Sequence, residues 1–118
     1  MNVLLVDDEA IIRKMMKLML QSGGFQVFDA SGGVDALALS QKHPIDVLVI
    51  DIVMEGMDGW ALARSLTEGR PGLPVLFISG HPIDFETAPL QHPRCAFLPK
   101  PFRKNELVDA VTDLLAAV

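Results

Sequence analysis

Short uninterrupted apolar runs, separated by longer stretches of helical periodicity, set the strongest constraint on how this chain can fold. Residues 3–6 read Val-Leu-Leu-Val and residues 47–50 read Val-Leu-Val-Ile, with no polar side chain to turn toward water. Such runs suit strands covered on both faces, as in a parallel sheet enclosed by helices. Further strands are expected at 25–28, 74–78 and 95–98. The first helix should run from Asp8 or Glu9 to Leu20, where Ile11/Ile12, Met15/Met16 and Met19 recur at helical spacing, and Gly23-Gly24 should stop it. A second is expected from an N-cap at Ser31 to about Lys42, with Val34, Leu37 and Ala38 turned inward. Asp58 can cap a third, carrying Ala61, Leu62 and Leu66, and the last has its stripe at Leu107, Val111, Leu114 or Leu115, and Val118. Pro82, Pro89 and Pro93 leave room between the fourth and fifth strands only for a short or irregular helix, about 84–88.

Regular β/α alternation implies an α/β fold: a doubly wound, five-stranded parallel sheet with helices on both faces. A length of 118 residues suits one domain spanning 1–118, and an apolar half is enough for a core without disulfides. Cys95 stands alone, which excludes a disulfide framework and a cysteine-based zinc site. The net charge of −5 disfavours direct binding to nucleic acid or anionic membranes, and Lys100, Arg103 and Lys104 form too small a basic cluster to reverse that. No apolar run is long enough for membrane insertion, and Met1 leads into a strand without a basic n-region. A cytoplasmic location is the expectation.

In sheets of this kind the functional site lies at the carboxyl ends of the strands. Asp7, Asp8 and Glu9 follow the first strand, Asp51 the third, Ser79 and Gly80 the fourth, and Pro99, Lys100, Pro101 and Phe102 the fifth. The set is chemically coherent. Close carboxylates repel one another, and a hard cation such as Mg²⁺, which keeps waters and phosphate oxygens among its ligands, relieves that repulsion. A carboxylate can also attack phosphorus to give an acyl phosphate, and Asp51, alone at the end of a central strand, is the candidate nucleophile. Lys100 can neutralise developing charge, and the Ser79 hydroxyl can donate to a phosphoryl oxygen.

Val6-Asp7-Asp8-Glu9, Asp51 with Met57-Asp58-Gly59, Phe77-Ile78-Ser79-Gly80 and Lys100-Pro101-Phe102 together resemble the receiver domain of two-component response regulators. The resemblance covers essentially the whole chain, with the motifs in order. Asp51 and Ser79 are 28 residues apart, and Ser79 and Lys100 are 21 apart. It implies a flavodoxin-like strand order of 2-1-3-4-5 and a switch. A histidine kinase or histidine phosphotransfer protein would phosphorylate Asp51, with Mg²⁺ held by Asp8, by Asp7 partly through water, by Asp51 and by the main-chain carbonyl of Val53. Ser79 would then move toward the phosphoryl group, and Phe97, at the aromatic switch position, would turn inward. The surface of the fourth helix, fifth strand and fifth helix would present the change to an output partner or fused domain. Kinase selection would rest on the first helix, around 12–19. The resemblance also implies a cis peptide between Lys100 and Pro101.

Three departures from the family pattern stand out. Glu55 occupies a position where the family usually has Pro, and adds an acid near three others; weaker Mg²⁺ binding or an altered acyl-phosphate lifetime is expected. The proline-rich 82–93 stretch replaces what is often a full helix, and Phe97 lacks the hydroxyl of the more familiar Tyr. Three alternatives compete with the switch: a degenerate receiver serving only as an interaction module, an aspartate-nucleophile phosphohydrolase, and a flavodoxin-like cofactor binder, whose phosphate-cradling loop Asp7-Asp8-Glu9 does not suit. The phosphohydrolase would want an acid two residues after the nucleophile, where this chain has Val53. The remaining chemistry-bearing residues read as structural. His43, His81 and His92 each precede a proline and suit loops, Met15, Met16 and Met19 suit the core, Cys95 suits a buried site, and Trp60 suits partial burial near Asp51.

Overall fold

The computed structural model describes residues 1–80 and 94–116. Along them run β1 (Asn2–Val6), α1 (Ala10–Ser22), β2 (Gln26–Ala30), α2 (Gly33–Lys42), β3 (Val47–Asp51), the two-residue strands β4 (Val53–Met54) and β5 (Met57–Asp58), α3 (Gly59–Thr67), β6 (Val75–Ser79), β7 (Cys95–Pro99) and α4 (Lys104–Ala116). Five strands form a parallel sheet in the order β2-β1-β3-β6-β7, and β4 and β5 form a separate antiparallel ladder. Numbered among themselves, the sheet strands follow the expected 2-1-3-4-5. The expected short helix at 84–88, with Pro82, Pro89, Pro93, His81 and His92, lies outside the described residues, as does Val118.

Period-two alternation splits the apolar strand residues between two cores. Leu4, Val6, Leu48, Ile50, Val75 and Phe77 pack with Ala36 of α2 and Leu62, Ala63 and Leu66 of α3. Val3, Leu5, Val47, Val49, Leu76 and Ile78 pack with Met16 and Leu20 of α1 and Leu107, Val111 and Leu114 of α4. The central strands β3 and β6 are buried along their whole length, as their unbroken apolar runs require. Gly24 at φ 93° turns the chain out of α1, and the Asp58 side chain accepts from the Trp60 N–H at 2.9 Å to cap α3.

Several local expectations are corrected. β2 begins at Gln26 and reaches Ala30, because it pairs with all five residues of β1. Ser31 does not cap α2; Gly32 holds that position without a side-chain bond, and the Ser31 hydroxyl reaches Asp35 at 3.4 Å. The inner face of α2 is Gly33 and Ala36, with Leu39 beside them, whereas Val34 is 84% exposed and Leu37 and Ala38 also face outward. Small residues let this helix lie close to the edge of the sheet, and the larger apolar ones are left on the far side. In α1, neighbouring residues point about 100° apart, so only one of each pair can face the sheet. Ile12 and Met16 do so, while Ile11, Met15 and Leu18 are exposed. Met15 is therefore a surface residue. Cys95 lies within β7 and is half-buried.

Candidate functional site

Strand register assembles the site. Val6 of β1 lies opposite Ile50 of β3, so Asp7 and Asp51 follow side by side as those strands end. Asp51 pairs with Ile78 of β6, and Ser79 pairs with Pro99 of β7, which delivers Lys100 to the same edge. The Lys100 N–H donates to the Ser79 carbonyl at 2.7 Å, and the Lys100–Pro101 peptide is cis, as expected.

Asp51 is nearly buried, at 4% exposure, and both of its oxygens are held. Oδ1 accepts the Val53 N–H at 3.1 Å and Oδ2 accepts Lys100 Nζ at 2.8 Å. Asp7 is buried beside it, its Oδ1 accepting the Glu9 N–H at 2.9 Å. Its Oδ2 has no hydrogen-bond donor; Lys100 Nζ stands 3.8 Å away. Asp8 is half-exposed, and its Oδ2 accepts the Glu55 N–H at 2.6 Å. Carboxylate oxygens from Asp7, Asp8 and Asp51 lie within 4.8 Å of one another.

Electrostatics follow from this crowding. Burial is the main cause that pushes the Asp7 carboxyl above its usual range; the Glu9 N–H and Lys100 pull it down, and Asp51 and Asp8 add to the rise. Burial alone would lower the Lys100 ammonium. Its bond to Asp51 and the charges of Asp51, Asp7 and Glu9 outweigh that and hold it above its ordinary value. Three acids share one lysine, and a buried Asp7 oxygen is left without a hydrogen-bond donor, so negative charge prevails at the site. The oxygen-only donor set fits Mg²⁺.

The site residues expected from the sequence thus come together: Asp7, Asp8, Asp51, Ser79 and Lys100 share one edge of the sheet. Val53 sits immediately beyond it, with its N–H on Asp51 and its side chain exposed. Phe97 lies behind, its ring 5.2 Å from that of Phe77 and 5.7 Å from that of Trp60. Two supporting roles were not foreseen from the sequence. Arg13 donates to the Asp7 carbonyl at 2.9 Å and to Asp29 at 3.1 Å, tying α1 to the acidic turn and to β2. Gly59 opens α3 directly on the Asp51 and Ile52 backbone, where a Cβ would meet the Asp51 carbonyl and, at 2.7 Å, Ile52 Cα. Its signal was present as the glycine after the capping Asp58.

Residues 3–112 match the response regulator receiver domain family. The chain belongs to that family. It is 34% identical to the response regulator receiver protein CpdR of Brucella abortus over 98% of both chains. It is 37% identical to the sensor kinase CckA of the same organism, where 97% of this chain spans 12% of the kinase. A crystal structure of a response regulator receiver protein from Sinorhizobium medicae superposes with a TM-score of 0.86 at 35% identity, covering 98% of this chain and 94% of that one. This receiver domain is a phospho-accepting signalling switch of the two-component type, and not an enzyme in the classical sense. Receiver domains generally bind Mg²⁺ at an acidic pocket, and Asp7, Asp8 and Asp51 form an acidic cluster at the same edge of this sheet. Among the described residues no helix is long and apolar enough to cross a membrane.

Proposed function

We propose that Asp51 is the phosphoryl acceptor of this receiver and that a histidine kinase or histidine phosphotransfer protein is its donor. The observation that carries the assignment is the Asp51 carboxylate, fixed between the Val53 N–H and Lys100 Nζ and set among two further acids. An oxygen of Asp51 attacks phosphorus as the phosphorus–nitrogen bond of the donor phosphohistidine breaks. The phosphoryl group passes to Asp51 as an acyl phosphate and the imidazole leaves with the bond's electron pair. Holding the nucleophile in one orientation removes much of the entropic part of the barrier. Asp7, Asp8, Asp51 and the Val53 carbonyl would hold Mg²⁺, which when bound supplies positive charge to the phosphoryl oxygens.

Lys100 keeps its ammonium charged and aimed at the acceptor, ready to bond a phosphoryl oxygen in place of the carboxylate oxygen it now holds. The Ser79 hydroxyl is the donor for another phosphoryl oxygen, and Phe97 is the side chain that follows it to carry the change to a partner or a fused output domain. The reading takes residues 1–118 as one receiver unit acting in the cytoplasm. Incubation with Mg²⁺ and acetyl phosphate, followed by intact-mass measurement, tests it. A single hydroxylamine-labile phosphoryl adduct, dependent on Mg²⁺ and absent from Asp51→Ala, is the expected result; an undiminished adduct on Asp51→Ala would overturn the assignment.

A further inference from the structure

The sequence expectation rested on the Glu55 charge, which would weaken Mg²⁺ binding relative to proline; the Glu55 backbone points to the opposite effect. The Glu55 side chain is exposed, while its main-chain N–H donates to Asp8 Oδ2 at 2.6 Å across 47 residues of chain. The turn that presents this N–H is itself fixed. Val53 and Met54 pair with Asp58 and Met57, Gly56 adopts φ 68° between them, and the Gly59 N–H closes on the Ile52 carbonyl at 2.9 Å. That places the donor at a set position relative to the Asp51 backbone. Among the described residues Asp8 is in no ion pair, so the Glu55 amide is the group that orients its carboxylate.

We propose that the Glu55 main-chain N–H is a positioning group of the divalent-cation site, holding Asp8 turned toward Asp7 and Asp51 before metal arrives. The inference rests on the reading of those three aspartates as Mg²⁺ ligands, which the donorless Asp7 Oδ2 supports. A carboxylate has about four lone-pair sites, so accepting one N–H leaves capacity for a cation. A charge-assisted bond to a fixed amide restricts the carboxylate's rotation, and donors of this kind around metal ligands typically matter about 10- to 100-fold in affinity. Proline at 55 deletes the donor and spares the turn, since the positive φ of the turn falls on Gly56 and a Pro-Gly pair suits the two central positions. Glutamine deletes the charge and spares the donor.

Calorimetric titration with Mg²⁺ separates the two contributions. Glu55→Pro is expected to weaken binding about tenfold, Glu55→Gln to retain the wild-type affinity, and Glu55→Pro to add nothing to the loss already caused by Asp8→Ala. Should Glu55→Pro fail to fold, the backbone amide resonance of Glu55 in the wild-type protein carries the test. It should move with Mg²⁺ on the calorimetric isotherm and lose that response in Asp8→Ala. Wild-type affinity in Glu55→Pro, an equal loss in Glu55→Gln, or an amide indifferent to both Mg²⁺ and Asp8→Ala would overturn the proposal while leaving the metal site intact. A wild-type protein that binds no Mg²⁺ would instead remove the metal reading itself, and the inference with it.

Discussion

Lys100 Nζ lies 2.8 Å from Asp51 Oδ2, and the same ammonium is 3.8 Å from Asp7 Oδ2. One cation is thus shared unequally between two buried carboxylates, leaning on the one assigned as nucleophile. The lysine's charge is in place before any phosphoryl group is. Lys100→Ala is expected to slow phosphorylation by acetyl phosphate about 100-fold, the scale of losing one charged donor to a transition state. Mg²⁺ affinity should not fall, because the substitution removes a positive charge that competes for the same oxygens. Rate and affinity measured together check this; a matching loss of both would mean that Lys100 only holds the site together.

The Asp7 carboxyl gives a stability prediction of definite sign. Its pKa in the folded protein is raised above the ordinary 3.8, chiefly by burial. Across the interval between those values the folded state binds more protons than the unfolded one, so stability falls as pH rises through it. Stability lost across that interval is not regained at higher pH. Asp7→Asn should raise the melting temperature of the metal-free protein by roughly 4 °C, equivalent to about 1 kcal/mol in a domain of this size. The gain should disappear below the unfolded-state pKa, and Mg²⁺ should stabilise the wild type far more than the variant. A metal-free Asp7→Asn that melts below wild type at neutral pH would contradict the account.

What the sequence made legible, and what it hid, divides along physical lines. Strand runs such as 47–50 and end residues such as Asp51 were readable because full burial and strand polarity leave few alternatives. The inward face of α2 was not readable, because Val34 and Leu37 carry the stronger apolar signal while packing distance selected Gly33 and Ala36. Met15 and Met16 illustrate the same limit: the pair marks a helix but does not say which member faces the sheet. At the site, side chains were legible and backbone donors were not. The N–H groups of Val53 and Glu55, which aim two of the three aspartates, belong to residues whose side chains say nothing about that role.

Gly59 ties helix α3 to the backbone of Asp51, the proposed acceptor. A Cβ there would strike the Asp51 carbonyl, Ile52 Cα at 2.7 Å and the Ile52 carbonyl at 2.8 Å, all of them main-chain atoms that cannot rotate aside. Gly59→Ala should therefore cost about 1–3 kcal/mol, as overpacking does, and should also displace Asp51. Urea unfolding and phosphorylation rate are expected to suffer together. Wild-type stability in this variant would show that α3 can retreat from the sheet without consequence.

Trp60, the sole tryptophan of the chain, offers a direct view of the switch. Its ring lies 4.6 Å from Phe77 and 5.7 Å from Phe97, and those two phenylalanines stack at 5.2 Å with 23° between their planes. Phe77 is fully buried two residues before Ser79 on β6, and it pairs with Phe97 across to β7. A phosphoryl group on Asp51 that draws Ser79 inward alters the space beside Phe77, and the half-buried Phe97 is the ring with room to respond. Trp60 emission should then change on adding Mg²⁺ and beryllofluoride, a stand-in for the phosphoryl group, and Asp51→Ala should abolish the change. Phe97→Leu keeps most of the volume but removes the ring, so it should suppress most of the fluorescence response while leaving the phosphoryl adduct on Asp51 intact. A full response in Phe97→Leu would mean that the signal reaches Trp60 through α3, whose first turn carries it, rather than through the aromatic stack.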